Sequence, residues 1–221
     1  MRSKLIRAIA LILVLSTALL SCSNKKATRE EKIARFAEEN STFEKGQIVF
    51  IGDSITEKYD LRRHHKNAEL KLYNRGISGD TTDWLIERLD ISLFALAPRS
   101  IVLMIGTNDI NYGKSAEEIA LNYATILSLI ALKLPDAEVT CVSIIPQNEK
   151  YSASAFDNNE RIKATNEKIK ALAELYGYKY VNLYDVLTDK DGFLKRGYST
   201  DGLHLSRRGY KVYTETIKNK L

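Results

Sequence analysis

Gln47-Ile48-Val49-Phe50-Ile51-Gly52-Asp53-Ser54 is the stretch that decides the fold. Ile48 to Ile51 form an unbroken apolar run that stops at a glycine, an aspartate and a serine. An apolar run with no polar alternation is expected of a strand buried on both faces, as in a parallel sheet. The pattern recurs outward from it. Ile101-Val102-Leu103-Met104-Ile105 predicts a strong strand, and Val139 to Ile145 another that Pro146 stops. Tyr178 to Leu183 predicts a further strand, and Leu70 to Tyr73 a weaker second one.

Helical periods fill the gaps. Thr82 to about Phe94 carries Leu85 and Leu89 at helical spacing. Ser115 and Glu118 form a capping box, followed by Ile119, Tyr123, Ile126, Leu127, Ile130 and Leu134 on one stripe. A third helix is expected from about Asp157 to Tyr176, with Ile162, Ile169, Leu172 and Tyr176 inward and Gly177 ending it. The last starts after Ser206 and turns Tyr210, Tyr213, Ile217 and Leu221 inward. Strands separated by helices imply right-handed βαβ units. The expected architecture is one α/β domain, a three-layer α/β/α sandwich on a parallel sheet of about five strands, which binds ligands at the carboxyl ends of the strands.

Polar segments collect at those ends. They are Gly52-Asp53-Ser54, Asn74-Arg75-Gly76-Ile77-Ser78-Gly79-Asp80, Gly106-Thr107-Asn108-Asp109 and, before the last helix, Asp201-Gly202-Leu203-His204. Each alone reads as a turn, because Gly, Asn, Asp and Ser favour turns. Together, in this order and at these element ends, they resemble the GDSL esterases, also called SGNH hydrolases. The resemblance covers Gln47 to Leu221. Gly79-Asp80-Thr81-Thr82 and His204-Leu205-Ser206 are most similar to the branch of platelet-activating-factor-acetylhydrolase-like and carbohydrate acetylesterases.

The resemblance implies a flavodoxin-like fold, a serine esterase and no metal or cofactor. It implies Ser54 as nucleophile, His204 as base and Asp201 as the carboxylate that orients the imidazole. A serine hydroxyl needs such a base, and imidazole titrates near neutral pH. It also assigns an oxyanion hole to Ser54 N–H, Gly79 N–H and the Asn108 amide. Gly76 is a rival for Gly79; its expected part is to ease the turn out of strand two. Asp53 and Asp109 are expected to fix loops through local hydrogen bonds.

Other features point away from competing functions. There is no Gly-x-Ser-x-Gly elbow, phosphate loop or Gly-x-Gly-x-x-Gly. His64-His65, among Arg62, Arg63 and Lys66, suit an exposed loop better than a metal site. Cys141 lies within a strand and is expected in the core. Trp84 is expected to pack in the core, with the pocket border as its alternative. The loop from Pro146 to Phe156 can offer Tyr151 or Phe156 to a sugar face, or serve as a polar connector.

The amino terminus reads as an address. Arg2, Lys4 and Arg7 precede an apolar run from Ala8 to Leu15, too short for a comfortable membrane span, then small residues. Leu19-Leu20-Ser21-Cys22 resembles a bacterial lipoprotein signal with Cys22 as the lipidated residue. The expected organisation is a signal peptide over 1–21, then Cys22, a tether and a short helix around Glu30–Glu39 over 22–46, and the hydrolase domain over 47–221. Ile33, Phe36 and Ala37 are expected to dock that helix. Acyl chains would tether an exported enzyme of the cell envelope without spanning the bilayer.

The 221 residues, 44% hydrophobic, suit one domain and exclude intrinsic disorder. Two cysteines exclude a disulfide framework. Loss of the signal removes three cations and lowers the net charge from +5 to +2, so nucleic acid is not an expected partner. The expected partner is a small-molecule or glycan ester. The intact set of Ser54, Asp201, His204, Gly79 and Asn108 favours turnover over a glycan-binding surface lipoprotein. A lysophospholipase or acyl-thioesterase of the same fold is the enzymatic alternative.

Overall fold

The computed structural model describes residues 27–66 and 68–220. The expected signal peptide and lipidated Cys22, and also Leu221, lie outside them. The elements run α1 (Arg29–Glu39), β1 (Ile48–Gly52), α2 (Ser54–Glu57), α3 (Leu61–His64), β2 (Leu72–Gly76), α4 (Thr82–Glu87) and α5 (Leu89–Ser92). After a 3₁₀ turn come β3 (Ser100–Met104), α6 (Thr107–Asn111), α7 (Ala116–Lys133), β4 (Glu138–Val142) and α8 (Ala155–Leu175). The chain closes with β5 (Lys179–Val181), α9 (Leu183–Leu187) and α10 (Arg207–Ile217).

All five strands are parallel, in the order β2-β1-β3-β4-β5. Alternate side chains leave the sheet on opposite faces. Val49 and Ile51 enter one core with Leu85, Leu89, Ile119, Tyr123, Ile126 and Ile130. Ile48 and Phe50 enter the other with Tyr59, Leu183, Leu187, Tyr210, Tyr213 and Ile217. Each fully buried Ile or Leu contributes roughly 1.5–3 kcal/mol, so both faces are held by apolar burial. Cys141 is buried in β4, and burial pushes its thiol up to about 12. The chain reverses its crossover direction at β1 and β3, and the crevice at their carboxyl ends is where such sheets place ligands.

Local chemistry explains the helix starts. Ser115 accepts from Glu118 N–H while Glu118 accepts from Ser115 N–H, the reciprocal cap expected of α7. Ser206 caps α10 by accepting from Gly209 N–H. Gly177 takes φ +69° just after α8, a left-handed conformation that suits glycine.

The structure corrects several expectations. β2 starts at Leu72 and includes Asn74, Arg75 and Gly76, because β1 sets the register from Ile48↔Leu72 to Gly52↔Gly76. As an edge strand it accepts polar residues that find partners: Asn74 donates to Thr56 and Tyr59 carbonyls, and Arg75 pairs with Glu39 on α1. The helix expected over 82–94 breaks at Arg88, whose side chain turns into the interior. On α1, Phe36 and Lys32 are buried, Ile33 is half-buried and Ala37 is exposed. His64 and His65 are not an exposed loop. Both are half-buried at the end of α3, and His65 Nε2 hydrogen-bonds the Tyr59 hydroxyl at 2.8 Å. Trp84 is 41% exposed rather than core, and Arg29 lies over its ring.

Candidate active site

Ser54 opens α2 at the carboxyl end of β1 and is buried. Asp53 caps that helix by accepting from Ile55 N–H at 2.9 Å. The turn can be this tight because Gly52 carries no Cβ; one placed there would sit 2.0 Å from the Met104 carbonyl oxygen.

Ser54 Oγ lies 2.9 Å from His204 Nε2. His204 Nδ1 lies 2.7 Å from Asp201 Oδ2. Asp201 Oδ1 accepts from the backbone N–H groups of Leu203 and His204 at 3.0 and 2.8 Å. Partial burial opposes ionisation of Asp201, but the His204 ring and these N–H groups outweigh it and hold the carboxyl well below the usual range. Ser199 steadies the loop by accepting from Gly202 N–H and donating to the His204 carbonyl, both at 2.8 Å. The three residues expected to work together are in hydrogen-bond contact, although Ser54 and His204 stand 150 positions apart.

The second and third segments close on the same rim. Asn108, in α6, donates from Nδ2 to the Asp80 carbonyl at 2.8 Å. Ile77 N–H donates to the Gly52 carbonyl at 3.0 Å. Gly76 and Gly79 separate clearly. Gly76 N–H is committed to Asn74 Oδ1 at 2.9 Å, and a Cβ there would meet Glu57 N at 2.2 Å. Gly79 has φ +90° with open space around it. Among the described residues no protein group accepts from the N–H of Gly79 or of Ser54.

Three buried aspartates lie beneath the rim. Asp80 is paired with Arg88 at 2.5 Å and with Arg29 at 3.2 Å. Asp109 accepts from Thr82 N–H and Oγ1 at 2.9 and 2.6 Å and from Lys114 at 2.8 Å. The bond from Lys114, five positions on, is local as expected, while those from Thr82 are long-range and join the third segment to α4. Asp53 Oδ2 has no hydrogen-bond partner among the described residues, and burial pushes its carboxyl up to about 7.

Arg88 was not anticipated as a site residue. It donates to the Arg75 and Gly52 carbonyls, both at 2.9 Å, and so ties together the ends of β2 and β1. Its signal in the sequence is its phase: it lies three after Leu85 and four before Ser92, and all three are buried. Tyr151, 41% exposed, packs on the loop of the catalytic histidine candidate, where a Cβ on Gly202 would fall 2.6 Å from Tyr151 N. Tyr151 also meets Asn111 of α6 at 3.3 Å. Phe156 stands exposed in the first turn of α8. A polar depression of about 520 Å³, lined by Asn111, Tyr151, Ser152, Ser154, Asn158 and Arg161, opens between α6 and α8. A larger cavity, about 610 Å³, lies at the amino ends of the strands beside Ile48, Ser100 and His65, away from this rim.

A parallel sheet with a hydroxyl, an imidazole and a carboxylate in series at its carboxyl rim is the architecture of a hydrolase, here a carboxylic ester hydrolase. Residues 50–212 match the model of the GDSL-like lipase/acylhydrolase family, and the chain belongs to that family. The human platelet-activating factor acetylhydrolase IB subunit alpha2 is 30% identical over 172 residues, covering 74% of this chain and 70% of its own. A solved structure from Streptococcus pneumoniae, described as a candidate platelet activating factor, is 34% identical. It superposes with a TM-score of 0.80 over 96% of this chain and 98% of its own. A GDSL-like lipase from Bacteroides thetaiotaomicron, 24% identical, shares the fold with a TM-score of 0.76 over 85% of this chain and 96% of its own.

Proposed function

We propose that the chain is a serine esterase that removes small acyl groups, acetyl above all, from an extracytoplasmic carbohydrate. The observation that carries it is the series Ser54 Oγ, His204 and Asp201, at 2.9 and 2.7 Å. His204 Nε2 takes the Ser54 proton as Oγ attacks the ester carbonyl. Asp201 holds the other ring nitrogen as the donor and stabilises the imidazolium. The carbonyl oxygen gains negative charge and is met by Ser54 N–H, Gly79 N–H and the second Asn108 amide proton. His204 then gives its proton to the leaving alcohol. Water repeats the sequence on the acyl-enzyme, releases the acid and restores Ser54.

The acetyl preference is supported by the acetylhydrolase relatives. The carbohydrate is supported by Tyr151 and the polar depression beside the rim, since an amphipathic ring next to amide and hydroxyl groups suits a polyhydroxylated face. Export as a Cys22-anchored envelope lipoprotein, the membrane partner being its own lipid, is supported by the amino-terminal pattern. The reaction asks for no cofactor.

Hydrolysis of p-nitrophenyl esters from two to twelve carbons, alongside acetate release from acetylated glycans, tests the reading with Ser54→Ala as control. Short-chain preference with acetate release is expected. Long-chain preference would favour the lysophospholipase or thioesterase alternative. Absence of hydrolysis above the control would favour a glycan binder. Metabolic palmitate labelling is expected to vanish in Cys22→Ala.

A further inference from the structure

Lysine is almost never fully buried without a partner. Lys32, on α1, is only 6% exposed, and its Nζ is paired with Glu57 Oε1. Glu57 closes the short helix that Ser54 opens. Its other oxygen, Oε2, accepts from Ser78 N–H at 2.6 Å and from the Ser78 hydroxyl. One turn earlier on α1, Arg29 Nε donates to Asp80 Oδ1 at 3.2 Å. Ser78 and Asp80 are the two neighbours of Gly79. A single face of α1 thus grips both sides of Gly79, one directly and one through Glu57.

We propose that Lys32 and Glu57, with Arg29, are positioning residues that aim the Gly79 N–H at the reacting carbonyl, so that α1 belongs to the catalytic apparatus. The proposal rests on the esterase reading above. Gly79 has no side chain to wedge it, and beyond its two chain neighbours nothing among the described residues lies within 4 Å of where its Cβ would be. Its direction is therefore set by what holds its neighbours. An oxyanion donor works only if fixed before charge develops. The anchor is a charged one: burial pushes the Glu57 carboxyl up, but the bonds from Lys32 and Ser78 outweigh it and hold the group below its ordinary value. Helix α1 lies outside the matched residues 50–212, whereas Glu57, Ser78 and Asp80 lie within them.

The helix has a second anchor that serves as a control. Glu39, at its far end, pairs with Arg75, whose guanidinium lies over Phe36. That pair touches neither Ser78 nor Asp80.

The test compares p-nitrophenyl acetate with its thionoester, whose sulfur accepts hydrogen bonds poorly. An intact oxyanion hole favours the oxygen ester, and a misaimed donor lowers that preference. In Lys32→Met and Glu57→Gln, kcat on the oxygen ester is expected to fall about tenfold, less than the 10²–10³ of deleting a donor, with KM little changed. The oxygen-to-sulfur kcat ratio is expected to fall with it. Lys32→Arg is expected to restore most of both, and Glu39→Gln to lower Tm without moving the ratio. Burst titration of Ser54 counts assembled sites, so a variant that folds in part is scored per site. Unchanged per-site kcat and ratio would overturn the proposal, as would losses that track Tm across all variants including Glu39→Gln. A wild-type protein inactive on every ester would instead overturn the esterase reading.

Discussion

Asn108 Nδ2 donates to the carbonyl oxygen of Asp80 at 2.8 Å, which spends one amide proton and fixes the plane of the group. The second proton has no protein acceptor among the described residues. Asn108→Ala is therefore expected to lower kcat by about 10²–10³ with little change in KM, the signature of a donor used chiefly in the transition state. Steady-state kinetics on p-nitrophenyl acetate check this.

The two glycines of the second segment are expected to fail differently. Gly76→Ala forces a Cβ to 2.2 Å from Glu57 N and should chiefly lower Tm. Gly79→Ala meets open space at φ +90°, so its cost is about 1–2 kcal/mol of left-handed backbone strain, and activity should fall more than stability. Paired melting curves and kcat values separate the two.

Arg88 and Asp80 form a pair whose side chains are 1% and 0% exposed. Removing the cation leaves Asp80 with only the partly exposed Arg29, and the Arg75 and Gly52 carbonyls each lose the bond from its guanidinium. Arg88→Leu is expected to cost about 3–5 kcal/mol, as for other broken buried pairs. Urea unfolding measures it.

Asp53 sets a pH trend. Its folded carboxyl, pushed up to about 7, keeps a proton that the unfolded chain releases near about 3.9. Between those values the folded state binds more protons, so this group makes stability fall as pH rises from about 4 to about 7, and adds no further change above. Asp53→Asn keeps an acceptor for Ile55 N–H and should flatten that part of the wild-type profile. Urea midpoints from pH 4.5 to 8 compare the two.

Tyr151 separates carrier from acyl group. On the proposal that it meets the carrier rather than the reacting atoms, Tyr151→Ala is expected to raise KM for an acetylated glycan several-fold while leaving kcat on p-nitrophenyl acetate within about twofold. Equal losses on both substrates would count against a carrier-binding role.

Much of this fold was legible because strands such as Ile48–Ile51 and Ile101–Ile105 are apolar without interruption, and caps such as Ser115 and Ser206 act locally. The segments bearing Ser54, Asn108 and His204 stand out as polar turns where a strand or loop ends, but their roles were legible only through the resemblance that the four segments carry together. β2 was misplaced because its membership is set by pairing with β1, so Asn74 and Arg75 read as loop residues. Arg88 and Lys32 were missed because a buried charge is recognisable only once its partner is known. Asp80 and Glu57 lie 8 and 25 positions from those residues.

The distance in sequence between Ser54 and His204 also bears on when activity appears. The proposed nucleophile leaves the first strand, while its proposed base precedes α10, which is pinned to the Ser54 helix by Tyr210 donating to the Ile55 carbonyl at 2.7 Å. A growing or half-folded chain therefore has a serine without a base. Long-range contacts of this kind form late, so ester hydrolysis, once measurable, serves as a built-in reporter that the final stretch of chain has docked.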